Sequence, residues 1–291
     1  MSTIEDLKYR YKNLDVFGKI ITINIIVFIV DAILTNLLKL GVVEYFKLPS
    51  LFGSFILQPW SLISYGFLHN GPFHLLFNML FLFYLSRAAS NLFRTKMVLN
   101  IYLLGIIAGG LAYLAVFNVI HFDFFGPKNS IMVGASAGVS ALLMFIAIYM
   151  PKSEIRLFNT FNVKWIHIAI FFVVMDVFRL MSGVNQGGYV AHIGGYILGY
   201  FYATQLVKGK DIGLGFERMM DSIASWFKPK SNLKTVHRSS KKKSYAGKTK
   251  EEFHTYNDQK KTDLILDKIS KSGYESLTAE EKEFLFKAGK N

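Results

Sequence analysis

Four residues of this chain have the types and spacing needed for nucleophilic acyl transfer: Ser136 between Gly134 and Gly138, His192 ahead of Gly195 and Gly199, and the pair His74 and Asn78. A serine hydroxyl is a weak nucleophile until an imidazole within hydrogen-bond reach takes its proton, and His192 is the candidate base. The oxyanion that then develops needs donors aimed at it, which Asn78, His74 and the backbone N–H of Ser136 offer. His74 and Asn78 are four residues apart and share one helix face. The chain contains no cysteine, which excludes thiolate catalysis, disulfides, cysteine zinc sites and iron–sulfur clusters.

Helices have to bring these residues together, and the composition indicates where those helices sit. Of 291 residues, 52% are hydrophobic and only 18% charged, which disfavours a soluble enzyme. Windows of about 20 apolar residues, enough to cross a hydrocarbon core of about 30 Å, lie at 20–38, 73–92, 97–120, 131–150, 163–182 and 188–207. The second and fourth are the weakest by hydropathy. The N-terminal residues are polar and carry both signs of charge, so no cleaved secretory signal is expected.

Lys8, Arg10, Lys12, Lys19, Arg87, Arg94, Lys96, Lys152, Arg156 and Lys164 fall on one side of a six-span arrangement, with only Lys39, Lys47, Lys128 and Arg179 at the other. This bias places both termini inside. The second, fourth and sixth spans then all enter from outside, and the three polar clusters share one shallow depth. Close approach of the helices carrying Ser136 and His192 is permitted by small residues at Gly134, Gly138, Gly195 and Gly199. Taken singly, Ser136 reads as a helix-packing position; taken jointly, the four residues read as a site. Polar groups within a bilayer are costly, and two acids remain there, Asp31 and Asp176. Arg179, three residues after Asp176, is its expected intrahelical partner.

These residues resemble the rhomboid intramembrane serine proteases. His69, His74 and Asn78, then Gly134 and Ser136, then Ala191, His192, Gly195 and Gly199 match that family's three motifs in order and spacing over about 190 residues. The resemblance implies a six-transmembrane-helix, all-α membrane bundle. It also implies a Ser136–His192 dyad without a third carboxylate, an oxyanion hole lined by His74 and Asn78, and cleavage of transmembrane segments near the outer face. Substrates would be transmembrane-helix proteins, in contact with membrane lipids. Trp60 stands where the family has a Trp–Arg pair, with Ser61 at the arginine position; Ala137 replaces a glycine, and Ser140 an aromatic residue that stacks on the histidine. His69, just before the turn Asn70-Gly71-Pro72, is an accessory candidate that serves the loop or faces interfacial water. No cofactor and no metal are implied. A silent rhomboid-like protein that binds clients, or a transporter using Asp31 and Asp176, are the alternatives.

The expected organisation is an N-terminal segment at 1–19, the six-span domain at 20–207, a juxtamembrane amphipathic helix at 208–228, a basic flexible linker at 229–260 and a small helical hairpin at 261–291. From Lys208 onward 19 basic residues face 12 acidic ones. That excess reads as a cytoplasmic, partly disordered tether near lipid, with no nucleic acid as partner. The hairpin opens its second helix with a Thr278-x-x-Glu281 capping box and is too small to hide much apolar surface, so a docking partner, unidentified, is expected. Every required residue precedes the tail, so a chain ending near Lys210 is expected to work. The expected location is the bacterial inner (cell) membrane, as an integral multi-pass protein with both termini cytoplasmic.

Overall fold

A computed structural model describes residues 3–120, 130–157, 160–183, 185–226 and 250–288. They divide into two units, Met1–Lys228 and Pro229–Asn291.

The first unit is mostly helical. After a polar helix, Thr3–Asn13, α1 (Val16–Ala32) starts where the Asp15 side chain accepts a hydrogen bond from the Gly18 N–H at 2.6 Å, satisfying one of the donors left free at a helix start. Pro72 at the first turn fixes the entry of α2 (Pro72–Ser90). Then follow α3 (Thr95–Ala115), α4 (Ser136–Tyr149), α5 (Trp165–Met181) and α6 (Gln186–Val207). Three segments are long and apolar enough to cross a membrane: Val16–Leu37, Pro72–Ser90 and Thr95–Val119. The remaining helices fall short for local reasons. Helix α4 has 14 residues because 131–132 form a strand, α5 has 17, and α6 carries Gln186, His192, Gln205 and five glycines among its 22.

Helices α3, α4 and α6 make the closest contacts and form the centre of the unit. Small residues allow this. A Cβ added at Gly195 or Gly199 would land on the carbonyl oxygens of Ala137 and Ala141 in α4, and one at Gly194 would come within 2.8 Å of the Ala108 carbonyl in α3. The segment between α1 and α2 is ordered against this core. Strand β1 (Leu48–Pro49) pairs antiparallel with β2 (Ile131–Met132), the Trp60 indole donates to the Tyr45 carbonyl at 2.9 Å, and the buried Tyr65 hydroxyl donates to the Ile106 carbonyl at 2.6 Å. An antiparallel hairpin, β3 (Glu154–Leu157) with β4 (Phe161–Lys164), leads into α5; the apolar windows gave no sign of it.

Helix α7 (Leu214–Trp226) is bound by charge to the α2–α3 turn. Arg94 meets Glu217 at 3.1 Å and Asp211 at 3.2 Å, and Lys96 meets Asp221 at 2.8 Å. Asp211 also accepts from the Tyr202 hydroxyl of α6 at 2.5 Å. Ending the chain near Lys210 would remove Asp211, the partner of Tyr202 in α6.

In the second unit, α8 (Lys250–Ser272) begins eleven residues before the expected hairpin and is followed by α9 (Ala279–Ala288). Gly273, at φ +78, makes the turn. The capping box forms, with Glu281 accepting from the Thr278 N–H at 2.8 Å and the Glu281 N–H donating to the Thr278 hydroxyl at 3.3 Å. Lys268 pairs with Glu281 at 2.8 Å and holds its carboxyl below the usual range. Ile265 and Leu277 are buried.

Candidate functional site

Ser136 is the first residue of α4 and is half-buried. Its backbone N–H belongs to the group that has no intrahelical acceptor, at the positive end of the helix dipole. The turn before it depends on Gly134, whose φ of +132 disfavours any L side chain. The Gly134 N–H donates to the Tyr65 carbonyl at 2.9 Å. A Cβ at Gly134 would lie 2.9 Å from His74 Cε1, 3.0 Å from His74 Nε2 and 3.5 Å from Ser136 Oγ, so the imidazole and the hydroxyl bracket one glycine.

Helix α2 supplies His74 and Asn78 on one face. The Asn70 N–H donates to His74 Nδ1 at 3.2 Å, so Nδ1 is an acceptor and Nε2 carries the proton. The donor end of the ring thus points at Gly134 and Ser136. The Asn78 amide spends one donor on the His74 carbonyl at 2.9 Å, leaving its second N–H. His69 does not face water: it is buried, edge-on to His74 with ring centroids 5.1 Å apart. Burial, reinforced by His74, lowers its pKa to about 4, so it is neutral near pH 7.

His192 lies on α6, three residues before Gly195. Its Nδ1 is 2.9 Å from Asp176 Oδ2 on α5, and the Tyr196 hydroxyl donates to the same oxygen at 2.7 Å. Tyr189 stands edge-on to the imidazole at 5.8 Å. Asp176 is 5% exposed. The expected Asp176–Arg179 pair is not formed; Arg179 donates to the Tyr189 hydroxyl at 3.4 Å instead. An imidazole and a phenol from the neighbouring helix give the buried carboxylate two donors. Sequence reading missed Asp176, Tyr189 and Tyr196 as site residues. The available signal was a lone carboxylate in an apolar helix.

His74, Asn78, Ser136, Ser140, His192 and Tyr196 all line one cavity of about 270 Å³. A second, more polar cavity of about 360 Å³ adjoins it, sharing His74, Val133, Asn185 and Gly188. Among the described residues, no hydrogen bond joins Ser136 to His192; such contacts commonly close only with substrate bound. Gly134 lets His74 approach Ser136, and Gly138, Gly195 and Gly199 let the helices that carry Ser136 and His192 pack closely on their neighbours. Trp60, half-exposed, remains in the ordered first loop, and Ser61 beside it is fully buried with no hydrogen-bond partner for its hydroxyl. Among the described residues no group of three or more His, Asp or Glu is placed to hold a metal.

Residues 57–209 match the Rhomboid domain family, and residues 253–290 match a family of unknown function (DUF6576). Two curated relatives are similar. One is "RHOMBOID-like protein 12, mitochondrial" of Arabidopsis thaliana, 23% identical over 163 residues, 52% of this chain and 47% of that protein. The other is "Rhomboid-related protein 1" of Caenorhabditis elegans, 28% identical over 167 residues, 52% of this chain and 42% of that protein. The chain thus spans less than half the length of either relative. Both relatives are eukaryotic, and they overturn the expectation of a bacterial inner membrane, pointing to a eukaryotic membrane instead. The physical reason for the error is that apolar span length reflects a hydrocarbon thickness of about 30 Å common to most bilayers, so it does not identify the compartment.

Proposed function

The chain belongs to the rhomboid family, and from that premise we propose that it is a serine endopeptidase that cuts transmembrane segments of membrane proteins inside the bilayer. In this reading α1 to α6 all span, both termini lie on one side, and the site opens toward the other. The observation that carries it is the convergence of Ser136, His192, His74, Asn78 and the start of α4 on one cavity.

Ser136 Oγ bonds to the scissile carbonyl carbon as its proton passes to His192 Nε2 and the carbonyl π pair moves onto oxygen. His74 Nε2–H, the free Asn78 N–H and the Ser136 N–H receive that oxyanion. Collapse breaks the C–N bond, and the amine leaves with the proton from Nε2. Water repeats the sequence on the acyl-serine, releasing the acid and returning the proton to Ser136. Placement at a helix start adds a fixed partial charge that favours the oxyanion.

The test is covalent labelling of the purified chain with a fluorophosphonate, mapped by mass spectrometry, alongside cleavage of a panel of transmembrane reporter helices. An adduct on Ser136 with cleavage is the expected result. A silent rhomboid-like protein that binds clients is the second reading, favoured by the missing Ser136–His192 hydrogen bond; no adduct and no cleavage, with reporter helices still bound by the chain, would favour it over the protease.

Removing an oxyanion donor costs on the order of 10²- to 10³-fold in turnover. Because His74, Asn78 and the Ser136 N–H share the load, Asn78→Ala and His74→Ala are each expected to lower kcat by about 10- to 1000-fold, with KM little changed. Poor substrate binding with normal kcat would make the residue a packing element instead.

The proposed machinery lies wholly within the first unit. A chain ending at Lys228 is therefore expected to cleave a reporter in liposomes within about twofold of the full chain. One ending at Lys210 loses Asp211 and Glu217 and is expected to be less stable. A tenfold loss at the Lys228 boundary, at equal folded fraction, would assign the second unit a role in the site.

A further inference from the structure

The geometry points to Asp176 as a positioning residue of this site: its carboxylate holds His192 in the tautomer and orientation that leave Nε2 free to take the proton of Ser136. The inference rests on the protease reading and adds a third member to the serine and histidine.

An ionised carboxylate only accepts hydrogen bonds. With Nδ1 at 2.9 Å from Asp176 Oδ2, the imidazole must carry its proton on Nδ1, and the lone pair lies on Nε2, at the other end of the ring. The Tyr196 hydroxyl donates to the same Oδ2 and so anchors the carboxylate from the helix that carries His192. Arg179 donates to the Tyr189 hydroxyl and makes no ion pair with Asp176, whose ion-pair partner among the described residues is His192. The negative charge therefore faces the imidazole, where positive charge develops as Ser136 attacks. A buried carboxylate in that position stabilises an imidazolium more strongly than one in water does. Ser140, on the same cavity, has no ring to stack on His192, which leaves the carboxylate and the edge of Tyr189 as the contacts that fix the ring.

An anchor that merely joined α5 to α6 would show its loss chiefly as lost folded protein, without the combination of signatures that follows. In the full chain in liposomes, Asp176→Asn is expected to lower kcat by between about tenfold and 10⁴-fold, the larger figure being the loss seen in the serine-protease triad, with KM changed by less than about threefold. Asp176→Glu is expected to recover part of that rate. A readout independent of activity is the proton resonance of ¹⁵N-labelled histidine in Ser136→Ala, which keeps Asp176 and Tyr196 in place. A strongly deshielded Nδ1–H is expected there, absent when His192→Ala or Asp176→Asn is added. Four outcomes would overturn the inference while the protease reading stands: Asp176→Asn turning over within about twofold of wild type, a loss that falls on KM, no recovery in Asp176→Glu, or no deshielded proton in Ser136→Ala. Failure of the wild-type chain to cut any reporter or take the label would remove the protease reading, and this inference with it.

Discussion

Ser136→Ala is expected to bring cleavage to background, a fall of at least about 10⁴-fold, because the other hydroxyls that line the cavity are not placed to replace it: Ser140 is buried one turn farther along α4, and the Tyr196 and Tyr189 hydroxyls are engaged by Asp176 and Arg179. The variant is structurally mild. Ser136 is half-buried, its hydroxyl makes no hydrogen bond among the described residues, and alanine fits a position flanked by Ala135 and Ala137. Donors at His74, Asn78 and the helix start remain, so substrate binding should persist, and the variant becomes a trap for measuring affinity. His192→Ala is expected to reach the same background with a further penalty. It leaves the Asp176 carboxylate buried with Tyr196 as its remaining donor, and an under-partnered buried charge destabilises a fold. The folded fraction therefore has to be measured beside the rate. Retained cleavage in pure Ser136→Ala, free of host protease, would end the assignment of Ser136 as nucleophile.

Gly195→Val and Gly199→Val are expected to destabilise the first unit by about 3 kcal/mol or more, since the added atoms meet backbone that has no rotamer to turn away. At Gly195 the obstructing atom is the Ala137 carbonyl oxygen, and at Gly199 it is that of Ala141. Relief requires α4 and α6 to separate, and these two helices carry Ser136 and His192. A displacement of about 1 Å at a reacting centre costs about 10²-fold in rate. Gly195→Val, three residues from His192, should therefore lose activity even where it folds; Gly199→Val, a turn farther on, should show more of its effect as lost stability. Gly53→Val has nothing within 4 Å of its new Cβ and serves as the neutral control. Unfolding in mixed micelles together with reporter cleavage would measure both effects. Wild-type stability and rate in Gly195→Val would show that the α4–α6 contact does not set the site.

The amino-acid sequence by itself determined what lies within single helices. The four-residue spacing of His74 and Asn78 puts them on one face whatever packs nearby, and the glycines at 195 and 199 mark one stripe of α6 because the helix repeats every 3.6 residues. Apolar windows marked where the helices run, and the grouping of Ser136 and His192 with the other two residues pointed to the chemistry proposed above. The capping box at Thr278 and Glu281 was legible for the same reason, since both partners lie within one turn. Contacts between helices were decided only by tertiary structure. Local spacing assigned Asp176 to Arg179, but packing of α5 against α6 brought it to His192 and Tyr196, 16 and 20 residues away. Likewise, nothing in the tail announced that Asp211 would cap Tyr202 or that Glu217 would meet Arg94, 123 residues earlier. The physical reason is one of range: backbone geometry fixes neighbours three and four residues apart, whereas partners across a helix interface depend on how every small residue lets the backbones approach. In a buried interface of low dielectric, the arrangement that gives a carboxylate two donors prevails over the nearest charge in the chain.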